Sequence, residues 1–280
     1  MDKDTKHWNI LSLGAGVQSS CIALMIERGA LPPVDFAVFA DTGAEPEEVY
    51  DWLEWLTAEL SYPVYTVVKG SLTDDSLKLW ENKKTGVMYP RVMIPTFGLM
   101  PDGTVVGAMG RKCTADYKIA PLIKKVKELC GIKRGQKEIT VTQIMGISWD
   151  EIQRMKQSPL KWLEHSHPLI DLKMTRRDCK IWMNDHGYQT PPESSCVYCP
   201  FHRDELWRDL RDNQPEEFAK AIKFDKDFRD INIKHNKTLK MVPYVHRSCK
   251  PLDEVDFDND EDKGQMTWDF QSECEGMCGI

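Results

Sequence analysis

The sequence predicts an α/β fold: a doubly wound, mostly parallel sheet flanked by helices, followed by a mainly helical, cysteine-containing C-terminal region. Three observations carry this. Short apolar runs alternate with helical segments through the first third, in the order β-α-β-α-β. One of these runs, DFAVFA at residues 35–40, is almost continuously apolar, as a strand buried on both faces must be. The runs end in polar turns at residues 12–20, 41–45 and 146–151, and in such sheets ligands bind at the carboxyl ends of the strands.

In chain order, residues 8–13 read as the first strand and residues 21–28 as the first helix, with a loop rich in Gly and Ser between them. Gly29 suits a left-handed helix cap, and Pro32-Pro33 makes the connection to the second strand. Pro46 opens a helix that carries Val49, Trp52, Leu53, Leu56 and Leu60. Residues 64–68 are a third strand, and residues 72–80 look helical. Residues 83–110 are rich in Gly and Pro, which predicts a long loop or small hairpin, a candidate lid. Residues 114–129 form a basic helix with Ile119, Leu122, Ile123 and Val126 on one stripe, and residues 137–145 a further strand. Thr175 is placed to cap a helix over 175–184. Residues 191–200 form a loop with two cysteines; helices follow at 204–210 and 215–228, then an acidic tail from 258. Because the strand–helix alternation stops near residue 175, an α/β domain over 1–174 and a C-terminal region over 175–280 are expected.

The chain has 280 residues, enough for a large core. No apolar run approaches the ~18 residues that cross a bilayer, and the opening MDKDTKHW lacks the apolar centre of a signal peptide. No membrane association and a cytoplasmic location are therefore expected. Nine cysteines in a reducing compartment argue for metal or catalytic sulfur over a disulfide scaffold. The net charge of −7 is uneven: residues 111–137 hold nine Lys/Arg against two acids, and residues 253–273 hold nine acids against one Lys. A basic block is a solvated helix face or a phosphate track, and the whole chain is not basic enough to make nucleic-acid binding the default.

Several residue groups could carry chemistry. The loop with Ser12, Gly14, Gly16, Gln18, Ser19 and Ser20 leads into a helix N-terminus. That is the chemistry of a phosphate site, although a tight strand–helix turn would look the same. Cys196 and Cys199 form a C-x-x-C pair, which suits a shared metal or a redox dithiol. Cys113 stands beside Arg111 and Lys112 at a helix start, a setting that lowers a thiol pKa. Cys274 and Cys278 could complete a cluster or act as a mobile thiol. Three converging thiolates would suit zinc or an iron–sulfur cluster. Cys21, Cys130 and Cys179 fall in helix patterns and read as packing thiols; Cys249 is undecided. Asp41, Asp150 and Glu151 could hold Mg²⁺ against phosphates, or Asp41 could cap a helix. Arg111, Lys112, Lys118 and Arg154 are phosphate partners or solvated charges. His202 and His246 are the histidines in suggestive places.

The segments SLGAGVQSS, FADTGAEPEEV, RKCTADYKI and GISWDEIQRMKQS resemble the phosphoadenylylsulfate-reductase-like branch of the PP-loop ATP pyrophosphatases. That superfamily has an adenine nucleotide alpha-hydrolase-like fold and includes tRNA thiolation and DNA phosphorothioation enzymes. The segments HPLIDLKMTRRDC, SSCVYCPFHRDELW, VHRSCKPLDEVDF and ECEGMCG are similar to a bacterial and phage subgroup of it. The resemblance implies that Ser12, Gly14, Gly16, Gln18 and Ser19 hold nucleotide phosphate. It implies that Asp41 and Gly43 flank the nucleotide, and that Asp150, Glu151 and Arg154 sit near phosphate or metal. It implies further that Cys113, Cys196 and Cys199 ligate a [4Fe–4S] cluster. The ending ECEGMCG is loosely similar to the catalytic-cysteine tail of sulfonucleotide reductases. The chain departs from the superfamily loop, Ser-Gly-Gly-x-Asp-Ser, with Gln18 at the acidic position and one extra loop residue.

Three functions follow as expectations. The first is an ATP-dependent sulfurtransferase that adenylates a nucleic-acid base or small acceptor and releases pyrophosphate. It would insert sulfur from a cluster or from a persulfide on Cys274 or Cys278, with Asp41 in the catalytic machinery. Its ligands would be ATP and Mg²⁺, its substrate partners tRNA or DNA, and its sulfur donor a cysteine desulfurase; a homodimer is left open. The second is a reductase whose tail thiol attacks a sulfonucleotide. The third is a non-catalytic nucleotide-binding module of a DNA-modification or defence complex.

Overall fold

The computed structural model describes residues 6–110, 112–236 and 240–258. The first third is β1 (Trp8–Leu13), α1 (Val17–Glu27), β2 (Phe36–Asp41), α2 (Glu47–Glu59) and β3 (Val64–Val68), the alternation expected. Then come α3 (Leu72–Leu77), β4 (Leu79–Glu81), β5 (Met88–Pro90), β6 (Thr96–Leu99) and β7 (Val105–Met109). A π-helical turn, Thr114–Ile119, runs into α4 (Ala120–Leu129), followed by β8 (Val141–Ile144), a 3₁₀ turn at Trp149–Arg154 and β9 (Leu163–Ser166). The remainder is α5 (Pro168–Asp171), α6 (Arg176–Asp185), α7 (Asp204–Asn213), α8 (Pro215–His235) and β10 (Val242–Tyr244).

The main sheet has the order β3-β2-β1-β8-β9, and every pairing in it is parallel. Its direction of winding reverses between β1 and β8, and that crevice is where an open α/β sheet binds its ligand. Alternate strand residues face opposite layers. Leu11, Leu13, Ala37 and Phe39 pack with α1, α2 and α6, whereas Ile10, Phe36, Val38 and Val141 pack with Leu122 and Val126 of α4. Each such side chain, removed from water, contributes about 1.5–3 kcal/mol. A separate cluster joins Ala44, Leu72, Tyr117 and Val197 to Trp207, Phe224, Phe228 and Phe257. It seats α7 and α8 against the turn that follows β2. Among the described residues no helix is long and apolar enough to cross a membrane.

Four expectations change. The first helix begins at Val17, not residue 21, so Gln18, Ser19 and Ser20 belong to its first turn. The helix expected over 72–80 stops at Leu77, because Lys78 is extended and Trp80 pairs with Tyr89 in a two-stranded sheet. Residues 83–110 hold three short strands, two of which form an antiparallel sheet ordered β10-β6-β7. The strand expected over 137–145 covers only Val141–Ile144, and β9, with Glu164 and His165 at the sheet edge, is additional. Thr175 does cap α6, in a capping box with Asp178. The boundary expected near 175 lies just before α6, whose Cys179 and Met183 share the core of Leu11 and Leu13.

Candidate functional site

The loop after β1 is pinned by its own hydroxyls. Ser19 Oγ accepts the Gly14 N–H at 3.1 Å and donates to the Gly16 carbonyl at 3.3 Å. Ser12 Oγ accepts from Gln143 Nε2 at 2.8 Å, which ties β1 to β8. Gly16 is the N-cap of α1 and supplies no side chain, so the first-turn N–H groups of the helix look out from the loop. Buried Ala15 stands at φ +60°, a left-handed conformation that costs a residue with a Cβ free energy and that recurs at ligand-binding loops. Gly146, just past β8, lies directly against this turn: a Cβ there would fall 2.9 Å from the Ser19 nitrogen.

Gln18 is fully buried and sits at the centre of a polar cluster. Its Nε2 faces Ser148 Oγ and Glu151 Oε2, each at 3.4 Å, and its Oε1 accepts from Arg176 Nη1 at 3.0 Å. Arg154 Nη1 meets the same Glu151 oxygen at 2.5 Å. Asp150 receives the Arg176 backbone N–H at 3.1 Å. Two arginines, Arg154 and Arg176, and two acids, Asp150 and Glu151, thus meet beside the helix N-terminus at the crevice between β1 and β8; the helix N-terminus itself favours an anion. Glu151 reaches Gln18 from the end of β8.

The turn after β2 makes the second half of the site. Asp41 Oδ1 accepts from the Gly43 N–H at 2.7 Å and from Tyr50 Oη at 2.8 Å, and Gly43 takes φ +68°. Asp41 therefore shapes this turn and does not cap α2, whose N-cap is Pro46. Burial first, then the hydrogen bond to Asp41, pushes the Tyr50 hydroxyl above its ordinary range. Glu45 is buried, with Oε1 3.2 Å from Thr42 Oγ1 and 3.3 Å from Lys118 Nζ. Lys118 comes from the π-helical turn, a rare geometry that recurs at functional sites. Cys196 Sγ lies 3.3 Å from Thr42 Oγ1 and 3.9 Å from Glu45 Oε1, and the Val197 N–H holds the cysteine loop to the Ala44 carbonyl at 2.8 Å. Burial, then Glu45, pushes the Cys196 thiol well up; Lys118 only partly offsets this.

Cys113 and Cys196 pack against the same apolar cluster, and Cys199 closes a turn back onto the Cys196 carbonyl. Among the described residues no group of three His, Cys, Asp or Glu side chains is arranged to hold a metal ion. The expected Mg²⁺ ligands are likewise engaged by N–H and O–H donors: Asp41 by Gly43 and Tyr50, Asp150 by Arg176, and Glu151 by Arg154 and Gln18. Arg111, Cys274 and Cys278 lie outside the described residues. Cys21 and Cys179 are buried packing thiols as expected, and burial raises the Cys130 thiol to about 12. Cys249 is buried too, at φ +52°. His202 Nε2 contacts Ser195 Oγ at 2.8 Å, and His246 Nε2 contacts Asp204 at 2.9 Å. Both serve the cysteine loop and α7, away from the Gln18 cluster.

Sequence reasoning did not single out Glu45, Ser148, Gly146 or Arg176. One signal existed for Arg176: paired arginines open a helix whose first turn, by the helix dipole, favours acids. Glu45 was within the DTGAE turn, but nothing local separates it from the exposed acids that follow.

No family model matches the chain, and no curated protein is similar to it. Among the solved structures similar in fold are the following two. The first is phosphoadenylyl-sulfate reductase from Candida auris, in a phosphate complex, at 14% identity over 68% of this chain and 76% of that chain, with a TM-score of 0.41. The second is the U34-tRNA thiolase NcsA from Methanococcus maripaludis with its [4Fe-4S] cluster, at 12% identity over 80% of this chain and 73% of that chain, with a TM-score of 0.42. At this level of similarity neither assigns an activity to this chain.

Proposed function

We propose that the protein is an ATP-dependent sulfurtransferase. It adenylates an oxygen of a nucleic-acid base or small acceptor, releases pyrophosphate and inserts sulfur. The observation that carries this reading is adjacency. An anion-favouring helix start, with Gln18, Arg154 and Arg176, stands at the end of β1, and a half-buried thiol, Cys196, stands against the turn that ends the neighbouring strand β2. Ser12, Gly14, Gly16 and Ser19 shape the phosphate pocket, and Asp41 and Gly43 form its second wall. Arg154, Arg176 and Lys118 offset the charge that develops on the departing pyrophosphate, which preorganised cations do at little reorganisation cost. The sulfur travels as a persulfide, with Cys274 or Cys278 as carrier and a cysteine desulfurase as donor. Its outer sulfur attacks the adenylated carbon and displaces AMP, leaving a carrier–acceptor disulfide. The other tail thiol cleaves that disulfide, releasing the thiolated acceptor and forming a Cys274–Cys278 disulfide that an external thiol reductant returns to the dithiol. A cluster held by Cys113, Cys196 and Cys199 is the alternative carrier of that sulfur.

The test is incubation of the full chain with α-labelled ATP, alone and with bulk tRNA, DNA or small acceptors. Acceptor-dependent release of AMP and pyrophosphate is expected. Sulfite release from adenylyl sulfate without ATP use would replace this reading with the reductase. Tight ATP binding without turnover on any acceptor would replace it with the binding module. A brown protein after anaerobic purification would return Cys113, Cys196 and Cys199 to a cluster.

A further inference from the structure

A cavity of about 560 Å³ opens between the turn after β2, α3, the cysteine loop and α8. One wall is apolar: Tyr198 stacks on Phe224 at 3.6 Å between ring centroids, beside Leu77 and Val197. The rest is acidic, with Glu45, Glu47, Asp74, Glu217 and Asp227 against two lysines. Those lysines are already paired, Lys220 with Glu217 at 2.8 Å and Lys223 with Asp227 at 2.5 Å. The charge left over is negative.

Acidic lining alone would only describe a wet surface. Glu45 makes it specific. The side chain is 7% exposed and lines the cavity; its Oε1 is engaged by Thr42 and Lys118, but its Oε2 is buried and lacks a hydrogen-bond partner among the described residues. A buried carboxylate oxygen without a donor costs free energy unless a ligand supplies one. Cys196 Sγ lies 3.9 Å from the other oxygen of the same carboxylate.

From this geometry we infer that the cavity binds a small organic cation with a planar N–H-bearing head, such as an amidinium or guanidinium. Its head donates to Glu45 Oε2 and its body lies along Tyr198 and Leu77. The volume suits a free small molecule, and the acidic wall repels a phosphate backbone. Taken with the function proposed above, on which this part rests, the cavity is the acceptor pocket and the acceptor is a small cation, not a polynucleotide.

Calorimetry on the full chain with benzamidine and with its anionic isostere benzoate tests the inference. Benzamidine should bind at millimolar concentration and benzoate should not. Losing one charge-assisted hydrogen bond should weaken benzamidine binding by about tenfold or more in Glu45→Gln. Leu77→Trp, which fills the cavity from the apolar wall, should abolish binding without touching Glu45. Equal binding of benzoate, unchanged affinity in both variants, no benzamidine binding at all, or displacement of benzamidine by an oligonucleotide would each overturn it. ATP turnover is scored separately: its absence sinks the sulfurtransferase and leaves the cation pocket standing, and absent benzamidine binding does the reverse.

Discussion

Arg176 Nη1 donates to Gln18 Oε1 at 3.0 Å across 158 positions of sequence, and both side chains are buried. This contact joins the first turn of α6 to the first turn of α1. It also shows how the chain tolerates an amide at a position where its motif resembles one that carries an acid. The amide bridges a guanidinium on one side and the Glu151 carboxylate on the other. Replacing Arg176 with Ala leaves the Gln18 oxygen buried without that donor, which costs about 1–3 kcal/mol. Urea unfolding should show that loss, and ATP affinity should fall in parallel. Unchanged ATP affinity in a folded variant would remove Arg176 from the phosphate site.

Gly146→Ala tests the close approach of the segment after β8 to the turn between β1 and α1. The new methyl would lie 2.9 Å from the Ser19 nitrogen and 3.1 Å from its Cα, which are backbone atoms that cannot rotate away. A destabilisation of about 1–3 kcal/mol is expected, as for other overpacked sites. ATP binding should weaken more than stability does if, as proposed, this turn holds the phosphates. Isothermal titration beside thermal melts separates the two effects.

Thr175→Ala removes one half of the capping box, in which Thr175 Oγ1 accepts the Asp178 N–H at 3.2 Å. About 1 kcal/mol of stability should be lost. Because Arg176 is the next residue, the cap also fixes where its guanidinium starts. Thr175→Ser keeps the cap and should restore both melting temperature and ATP affinity.

Asp204 predicts a pH dependence. Burial raises its pKa, but the hydrogen bond from His246 and the charge of Arg247 outweigh this and hold it below 3.8. A carboxylate depressed in the folded state contributes stability that is full above its unfolded pKa and fades as pH falls through the folded value. Asp204→Asn should therefore lose about 1–2 kcal/mol near neutral pH, partial exposure being allowed for. The two proteins should converge in urea titrations well below pH 3.8. A gap that persists in acid would mean that packing, not charge, accounts for the loss.

How much was legible in the sequence depended on range. The apolar run of β2 and the Thr175 cap could be read locally, since strand burial and helix capping are written within a few residues. The start of α1 could not. Gly16, Ser19 and Ser20 are poor helix formers by propensity, and the helix nevertheless starts at Val17 because the surrounding core buries its first turn. The strands within residues 83–110 were hidden for a similar reason: β6 pairs with β10, far along the chain, and short edge pairings leave little periodicity.

The candidate site divides in the same way. Its residue types and its place at the polar ends of the strands belong to the primary sequence, because a βα unit puts those turns on one edge whatever follows. Which of these residues touch was decided by tertiary packing. The reversal of winding between β1 and β8 brings Gly146 against Ser19 and Glu151 against Gln18; the packing of α6 on α1 brings Arg176; the cysteine loop, held to Ala44, brings Cys196 to Glu45. Local sequence can name a charge or a thiol. Only the fold buries it beside a particular partner, and burial is what gives that partner its strength.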